Sequence, residues 1–147
     1  MTVQIRNARS KDRERCLALL QILRSSSGGT VPPEAGAAFD ALLTRERGEV
    51  HVAEEDGTVL GMASVTYNLA MRYGGEYCQL EELVVDPEAR GKRIGARLVE
   101  AVLAAAKRRG CAECGLYLLP TTVHNRPFYE RFGFVALDVE MRVDLGR

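Results

Sequence analysis

The stretch QLEELVVDPEARGKRIGARLVEAVLAAAKRRG, from Gln79 to Gly110, reads as a strand, a tight basic turn and a helix in direct succession. Leu83, Val84 and Val85 form a short, largely β-branched run, and Asp86-Pro87 ends it because proline has no N–H to continue a ladder. Beyond the turn, Ile94, Leu98, Val99, Val102, Leu103 and Ala106 recur at helical spacing, while Arg97, Glu100, Lys107 and Arg108 fall elsewhere around the axis. One face of this helix is expected to be buried and the other wet. Lys107, Arg108 and Arg109 complement the negative end of its dipole, and Gly110 stands where a left-handed cap is wanted.

The junction Arg90-Gly91-Lys92-Arg93-Ile94-Gly95-Ala96 makes this more than a strand and a helix. Glycines let a backbone approach a ligand closely, the first N–H groups of a helix have no intrahelical partner, and Arg90, Lys92 and Arg93 add positive charge. These features together describe an anion site suited to phosphate. A nucleotide P-loop would need Gly, four residues and Gly-Lys-Ser/Thr, and a dinucleotide fold would need GxGxxG directly after a strand. Neither spacing is present.

The junction resembles the acetyl-CoA signature of the GCN5-related N-acetyltransferases (GNAT): Gln or Arg, two residues, Gly, one residue, then Gly or Ala, opening a helix after a strand. Arg90 and Gly95 match it, and Arg93 stands where the middle glycine belongs. A second stretch, NRPFYERFGF from Asn125 to Phe134, is similar to that family's late helix with its catalytic tyrosine. The two matches cover roughly the C-terminal half; the N-terminal half agrees by pattern only. The resemblance implies an α+β, three-layer fold in which a mixed, mostly antiparallel twisted sheet carries a splayed central parallel pair and helices on both faces.

The chain has 147 residues, with 46% hydrophobic and 27% charged residues, which suits a single globular domain over residues 1–147. Lys plus Arg and Asp plus Glu are 20 each, so no overall field favours nucleic acid or an anionic membrane. The first residues contain no signal-peptide core, and there is no run of 18 apolar residues, so a cytoplasmic protein is expected. Cys111 and Cys114 form a CxxC that follows a helix end, whereas a redox-active cysteine opens a helix. Zinc would need two further ligands, and His51 and His124 are single and far apart. Cys16, Cys78, Cys111 and Cys114 therefore read as ordinary thiols, with no disulfide and no metal.

In chain order, Val3 to Ala8 alternates as a first strand, Ser10 caps a helix with Cys16, Leu17, Leu19, Leu20, Ile22 and Leu23 inward, and Ser25 to Gly29 ends it. A loop with Pro32-Pro33 leads to a second helix with Ala37, Phe39, Leu42 and Leu43 as its inner face. Val50 to Glu54 is a strand, Glu55-Asp56-Gly57 a hairpin signal, and Thr58 to Asn68 a strand with Val59, Gly61, Ala63, Val65 and Tyr67 on one face. After a break at Tyr73-Gly74-Gly75 comes the central strand. Gly115 to Leu119 reads as a further strand, Asn125 to Arg131 as a short helix ended by Gly133, and Phe134 to Leu145 as the strand that closes the sheet.

The resemblance assigns roles residue by residue. Leu83 N–H would polarise the acetyl carbonyl, Val84 and Val85 would lie along the pantetheine arm, and Arg90, Gly91, Lys92, Arg93, Ile94, Gly95 and Ala96 would surround the pyrophosphate. Asn125 and Phe128 would line the cofactor arm, although Asn125 could equally cap its helix. Tyr129 would act as general acid, and its bland alternative is packing among Phe128, Phe132 and Phe134. Glu81 and Glu82 interrupt an apolar strand, and adjacent side chains of a regular strand point to opposite faces. Unless a bulge intervenes, Glu81 shares a face with Leu83 and Val85, which makes it the first choice of base and Glu82 the second. His51 and His124 have suitable intrinsic pKa values but sit in no matching motif.

The function implied is acetyl transfer from acetyl-CoA to a primary amine of a small molecule or peptide, by direct attack in a ternary complex. No cysteine is placed to suggest an acyl-enzyme. Ser25 to Pro33 and Tyr67 to Tyr77, with Met71, Arg72, Tyr73 and Glu76, would frame the acceptor. A homodimer is expected from the family's habit. The rival is a CoA-binding sensor that keeps the cofactor groove without acceptor chemistry.

Overall fold

The computed structural model describes residues 2–137 and 139–147. It contains two compact units, one running to Tyr117 and the other from Leu118 to Arg147. The elements of the first are β1 (Gln4–Asn7), α1 (Arg13–Ser26), α2 (Ala35–Leu42), β2 (Gly48–Glu55), β3 (Thr58–Ala70), β4 (Gly75–Val85), α3 (Ile94–Arg109) and β5 (Cys114–Gly115). The second holds one short helix, α4 (Arg126–Glu130). The strands form one sheet in the order β1-β2-β3-β4-β5, antiparallel throughout except for the parallel pair β4 and β5. No helix among the described residues is long and apolar enough to cross a membrane.

Strand alternation divides the first unit into two faces. Val50, Val52, Met62 and Val84 pack with Cys16 and Leu19 of α1 and Phe39 of α2. The intervening Ala53, Ala63 and Val65 are completely buried on the other face, where α3 lies. At Gly61 that helix comes so close that a β-carbon would sit 3.0 Å from Ile94 Cγ2 and 3.3 Å from Leu98 Cδ1. Leu98, Val99 and Val102 are buried as the helical spacing predicts. Asp56 and Gly57 both take positive φ, 51° and 79°, the geometry a two-residue hairpin needs to match strand twist.

Some expectations fail for local reasons, and Ile22, expected inward on α1, is exposed. Val59 does not share a face with Gly61: Ala53 pairs with Gly61 and Glu54 with Val59, so Leu60 is an extra residue and Val59 turns to the α1 side. Ser10 begins a short 3₁₀ turn, Ser10–Asp12, and it is Asp12 that accepts the Arg9 N–H at 2.8 Å. Asp12 is 4% exposed. Arg6 engages it at 2.8 Å and Glu54 at 3.0 Å, and the guanidinium holds the Asp12 carboxyl below its ordinary range. Ala37 is exposed, while Phe39, Leu42 and Leu43 do face the core. Gly110 caps α3 in the left-handed region as expected, with φ 86°.

The end of the chain departs further. The expected strand Gly115 to Leu119 is reduced to Cys114–Gly115. Phe134 to Leu145 forms no strand among its described residues, Asp138 lying outside them, and Val135, Leu137, Val139, Met141, Val143 and Leu145 are exposed. Their alternation suits a strand's two faces but names no partner, and a strand exists only through pairing.

Gly48 begins β2 where the backbone of β3 leaves no room: a β-carbon there would lie 2.1 Å from Val65 O and 2.7 Å from Leu42 Cδ2. Gly48→Ala is expected to destabilise the protein by about 3 kcal/mol, seen as a lower urea midpoint at unchanged slope. An unchanged midpoint would mean that β2 and β3 are not this close.

Candidate active site

The site begins where β4 loses a neighbour. Among the described residues β4 pairs with β5 through Cys78 with Cys114 and Gln79 with Gly115, then runs on to Val85 with no further strand paired on that edge. Asp86 N–H donates to Leu60 O of β3 at 2.7 Å. Backbone groups alternate in direction along a strand, so those of Leu83 and Val85 point away from β3, toward the open edge. The Val84 side chain is buried in the α1-side core.

A bulge lies just before this open stretch. Ser64 pairs with Glu82 and Val65 with Leu80, which leaves Glu81 as the extra residue. The expectation that adjacent carboxylates point to opposite faces is thereby overturned. Thr66 Oγ1 donates to Glu81 Oε2 at 2.8 Å, and Ser64 Oγ donates to Glu82 Oε1. Ser64 and Thr66 are two apart on β3 and share a face, so both carboxylates are drawn to that face, and Glu81 does not share that of Leu83. Glu81 is exposed and Glu82 half-buried. Burial pushes the Glu82 carboxyl above its ordinary range, against the Ser64 hydrogen bond, while neighbouring Glu81 adds to the rise and Arg24 opposes it. Ser64 and Thr66 were not singled out from the sequence, although two hydroxyls at strand spacing within an apolar strand are a readable signal.

The turn between β4 and α3 is tied to α1. Arg15 Nη2 contacts Asp86 Oδ2 at 2.5 Å and Arg15 Nε donates to Val59 O at 2.8 Å, while Asp86 Oδ1 accepts the Glu88 N–H. Gly91 has φ 86° and open space where a β-carbon would stand. Arg93, in the place of the motif's middle glycine, takes φ 56° and ψ 28° as the residue before α3. Arg93 thus takes a left-handed conformation that a glycine would adopt without strain. No side chain caps α3, so its first N–H groups face outward beside exposed Arg90, Lys92 and Arg93, with Ile94 and Ala96 buried beneath. Lys92 Nζ is 2.6 Å from Glu55 Oε1, and Arg93 Nη2 is 3.6 Å from Glu100 Oε1 across a well-exposed contact. Uncapped N–H groups, an open left-handed glycine and basic side chains fit a pyrophosphate.

In the second unit, Tyr129 stands edge-on to Phe128 at 5.0 Å and to Phe134 at 5.9 Å between ring centroids. Burial pushes its hydroxyl pKa up, so it holds its proton at neutral pH. Asn125 makes no capping hydrogen bond, and Pro127 opens α4 instead. Arg126 pairs with Glu130 at 3.2 Å, and Arg131 lies over the Phe128 ring.

Other candidates are engaged elsewhere. His51 is 4% exposed, on the α3 side of the sheet and so opposite Glu82; burial lowers its pKa against the pull of Glu49 at 3.4 Å. His124 is exposed in the second unit. Tyr67, expected beside the acceptor, is buried with its hydroxyl on Glu49, and Glu76 is held by Arg109 at 2.8 Å. Arg72 lies over the rings of Tyr73 and Tyr77, and Met71 is fully exposed.

The model of the acetyltransferase (GNAT) family matches residues 16–134. The chain belongs to this family. A glucosamine 6-phosphate N-acetyltransferase of Trypanosoma brucei brucei is 31% identical over 120 residues, 78% of this chain and 80% of the relative. The crystal structure of glucosamine-6-phosphate N-acetyltransferase from Arabidopsis thaliana superposes with a TM-score of 0.81 at 26% identity, over 99% of both chains. An aminoglycoside N-acetyltransferase solved with CoA shares the fold, with a TM-score of 0.83, 20% identity, and 99% and 96% of the two chains covered. The five-stranded mixed sheet is thus the GNAT sheet, and the GNAT chain is an N-acetyltransferase by class.

An arginine in the left-handed region costs roughly 1–2 kcal/mol, whereas a glycine there costs about 0.4–1 kcal/mol through the unfolded chain. Arg93→Gly is therefore expected to raise the melting temperature slightly, and Arg93→Val to lower it by several degrees. A valine variant as stable as the parent would show that the left-handed turn does not form.

Proposed function

We propose that this GNAT chain transfers the acetyl group of acetyl-CoA directly to a primary amine of a small molecule or peptide, in a ternary complex. The observation that carries the reading is the bulge, which brings two hydroxyl-held carboxylates to one face beside an open row of β4 backbone groups. Acetyl-CoA, when bound, supplies a thioester whose carbonyl carbon the amine attacks. Leu83 N–H donates to the carbonyl oxygen, where negative charge develops. Val85 backbone holds the pantetheine arm, and Arg90 to Ala96 hold the pyrophosphate through N–H groups and positive charge.

Glu82 takes the amine proton, through a water, and replaces Glu81 as first choice because it is the better shielded of the two. Burial raises its pKa, which makes its ionised form a stronger base toward the amine. Glu81, exposed on Thr66, attracts the ammonium form of the acceptor. Tyr129 returns a proton to the departing thiolate, a role its retained proton supports. The activity of the glucosamine 6-phosphate N-acetyltransferase relatives makes an amino sugar phosphate the first acceptor to try. The exposed apolar alternation from Val135 to Leu145 supports pairing as a homodimer.

Saturating acetyl-CoA at 100 times its dissociation constant should stabilise the protein by about 2.7 kcal/mol, visible as a rise of several degrees. A rise with no CoA thiol released from acetyl-CoA in the presence of any amine of a panel would favour the sensor reading. Glu82→Gln should lower kcat/KM by about 10²–10⁴. In the parent, kcat/KM should climb with pH through a window above the ordinary carboxyl value of 4.5, since only the ionised base accepts a proton, and this limb should vanish in the variant. Tyr129→Phe should lose kcat to a similar degree while keeping the thermal shift, and full turnover would remove Tyr129 from the reaction.

A further inference from the structure

Cys78 and Cys114 occupy opposite positions on the parallel strands β4 and β5, and their sulfurs are 3.5 Å apart. We infer that this pair is a thiol–disulfide exchange site whose reversible oxidation pins β4 to β5 where the two strands part. The bond itself is independent of the function proposed above; its effect on acetyl transfer rests on it.

The geometry favours bond formation without refolding. Directly paired strand neighbours are about 4.8 Å apart, within the Cα separation a disulfide spans. The surrounding backbone is held on both sides: Cys78 N–H donates to Glu113 O at 2.8 Å, Ala112 N–H to Glu76 O at 2.9 Å, and Cys111 N–H to Ala106 O at 3.0 Å. Each sulfur already points at the other. Cys78 is completely buried and Cys114 partly exposed, so a small disulfide meets Cys114 first and Cys78 lies beneath it. Of the two, Cys114 ionises first, because the Cys78 S–H donates to it and the Leu80 N–H favours its thiolate. Cys111, the other half of the CxxC, follows the negative end of α3, and burial raises its thiol. The active pair is therefore the one across the strands and not the one in the motif. Cys16, in the α1 core with its pKa pushed up to about 12, is an internal control.

The oxidant is a low-molecular-weight disulfide, RSSR. Cys114 thiolate attacks one sulfur, forming a Cys114–SR mixed disulfide and releasing RS⁻, which takes the proton Cys114 gave up. Cys78 sulfur then attacks Cys114 sulfur, loses its own proton and expels the second RS⁻, which leaves as RSH. Two cysteine thiols are oxidised by two electrons and RSSR is reduced to two RSH. Closing the sulfurs from 3.5 Å to the bonded distance of about 2.05 Å draws the strands together three residues before the bulged Glu81. Misplacement on the order of 1 Å costs an oriented reaction up to about 10²-fold.

The test treats the full chain with glutathione disulfide, blocks remaining thiols and maps peptides by mass. The parent should lose two hydrogens, give a linked peptide joining Cys78 and Cys114, and recover with dithiothreitol. Cys78→Ala should stop with one glutathione on Cys114, and Cys111→Ser should still form the link. A link between Cys111 and Cys114, adducts on Cys111 alone, or four unmodified thiols in the parent would overturn the site, and this readout needs no variant to fold. Turnover in the oxidised form should be at least tenfold below the reduced form, and equal turnover would overturn the regulatory effect. Reduced protein with no acetyl-CoA shift would sink the function reading and leave the mapped bond intact.

Discussion

β4 and β5 are paired neighbours at two positions and then separate, and the proposed site is built on that separation. Buried backbone N–H and C=O groups need partners. A strand whose edge opens inside a domain is therefore a site that a ligand's own amides can complete. In this chain the groups of Leu83 and Val85 face that edge. The antiparallel ladder with β3 carries the rest of β4, so the strand stays rigid while one side is left open.

The bulge at Glu81 lies in the ladder with β3, just before the open stretch. One extra residue in β4 reverses the alternation, and two carboxylates that a regular strand would separate come to one face, each held by a β3 hydroxyl. The two then differ in burial. Glu82 is half-buried, which raises its pKa, and Glu81 stays exposed to solvent. At the other end of β4, Arg15 clamps Asp86, so the turn that presents the basic residues is anchored to the opposite helix layer.

Much of this was legible in order and type. The α3 helix, its buried face, its Gly110 cap and the Asp56-Gly57 hairpin follow from spacing and from residues suited to positive φ. The basic turn was readable as an anion site because its logic is local. What was not legible came from pairing. Val59 and Glu81 changed face because the first precedes and the second is an extra residue in a ladder, and a bulge is a relation between two strands that neither displays alone. His51 looked available as a base and is buried on the face away from Glu82.

The amino-acid sequence by itself determined the succession of elements, the amphipathic faces and the charge at the start of α3, because propensity, period and turn chemistry act over a few residues. Tertiary structure alone decided which carboxylate is shielded, that Tyr67 and Glu76 are spent on internal partners, and that Cys114 faces Cys78 instead of Cys111. These are contacts between residues far apart in the chain, and their energies arise only when packing removes water and fixes both partners at once.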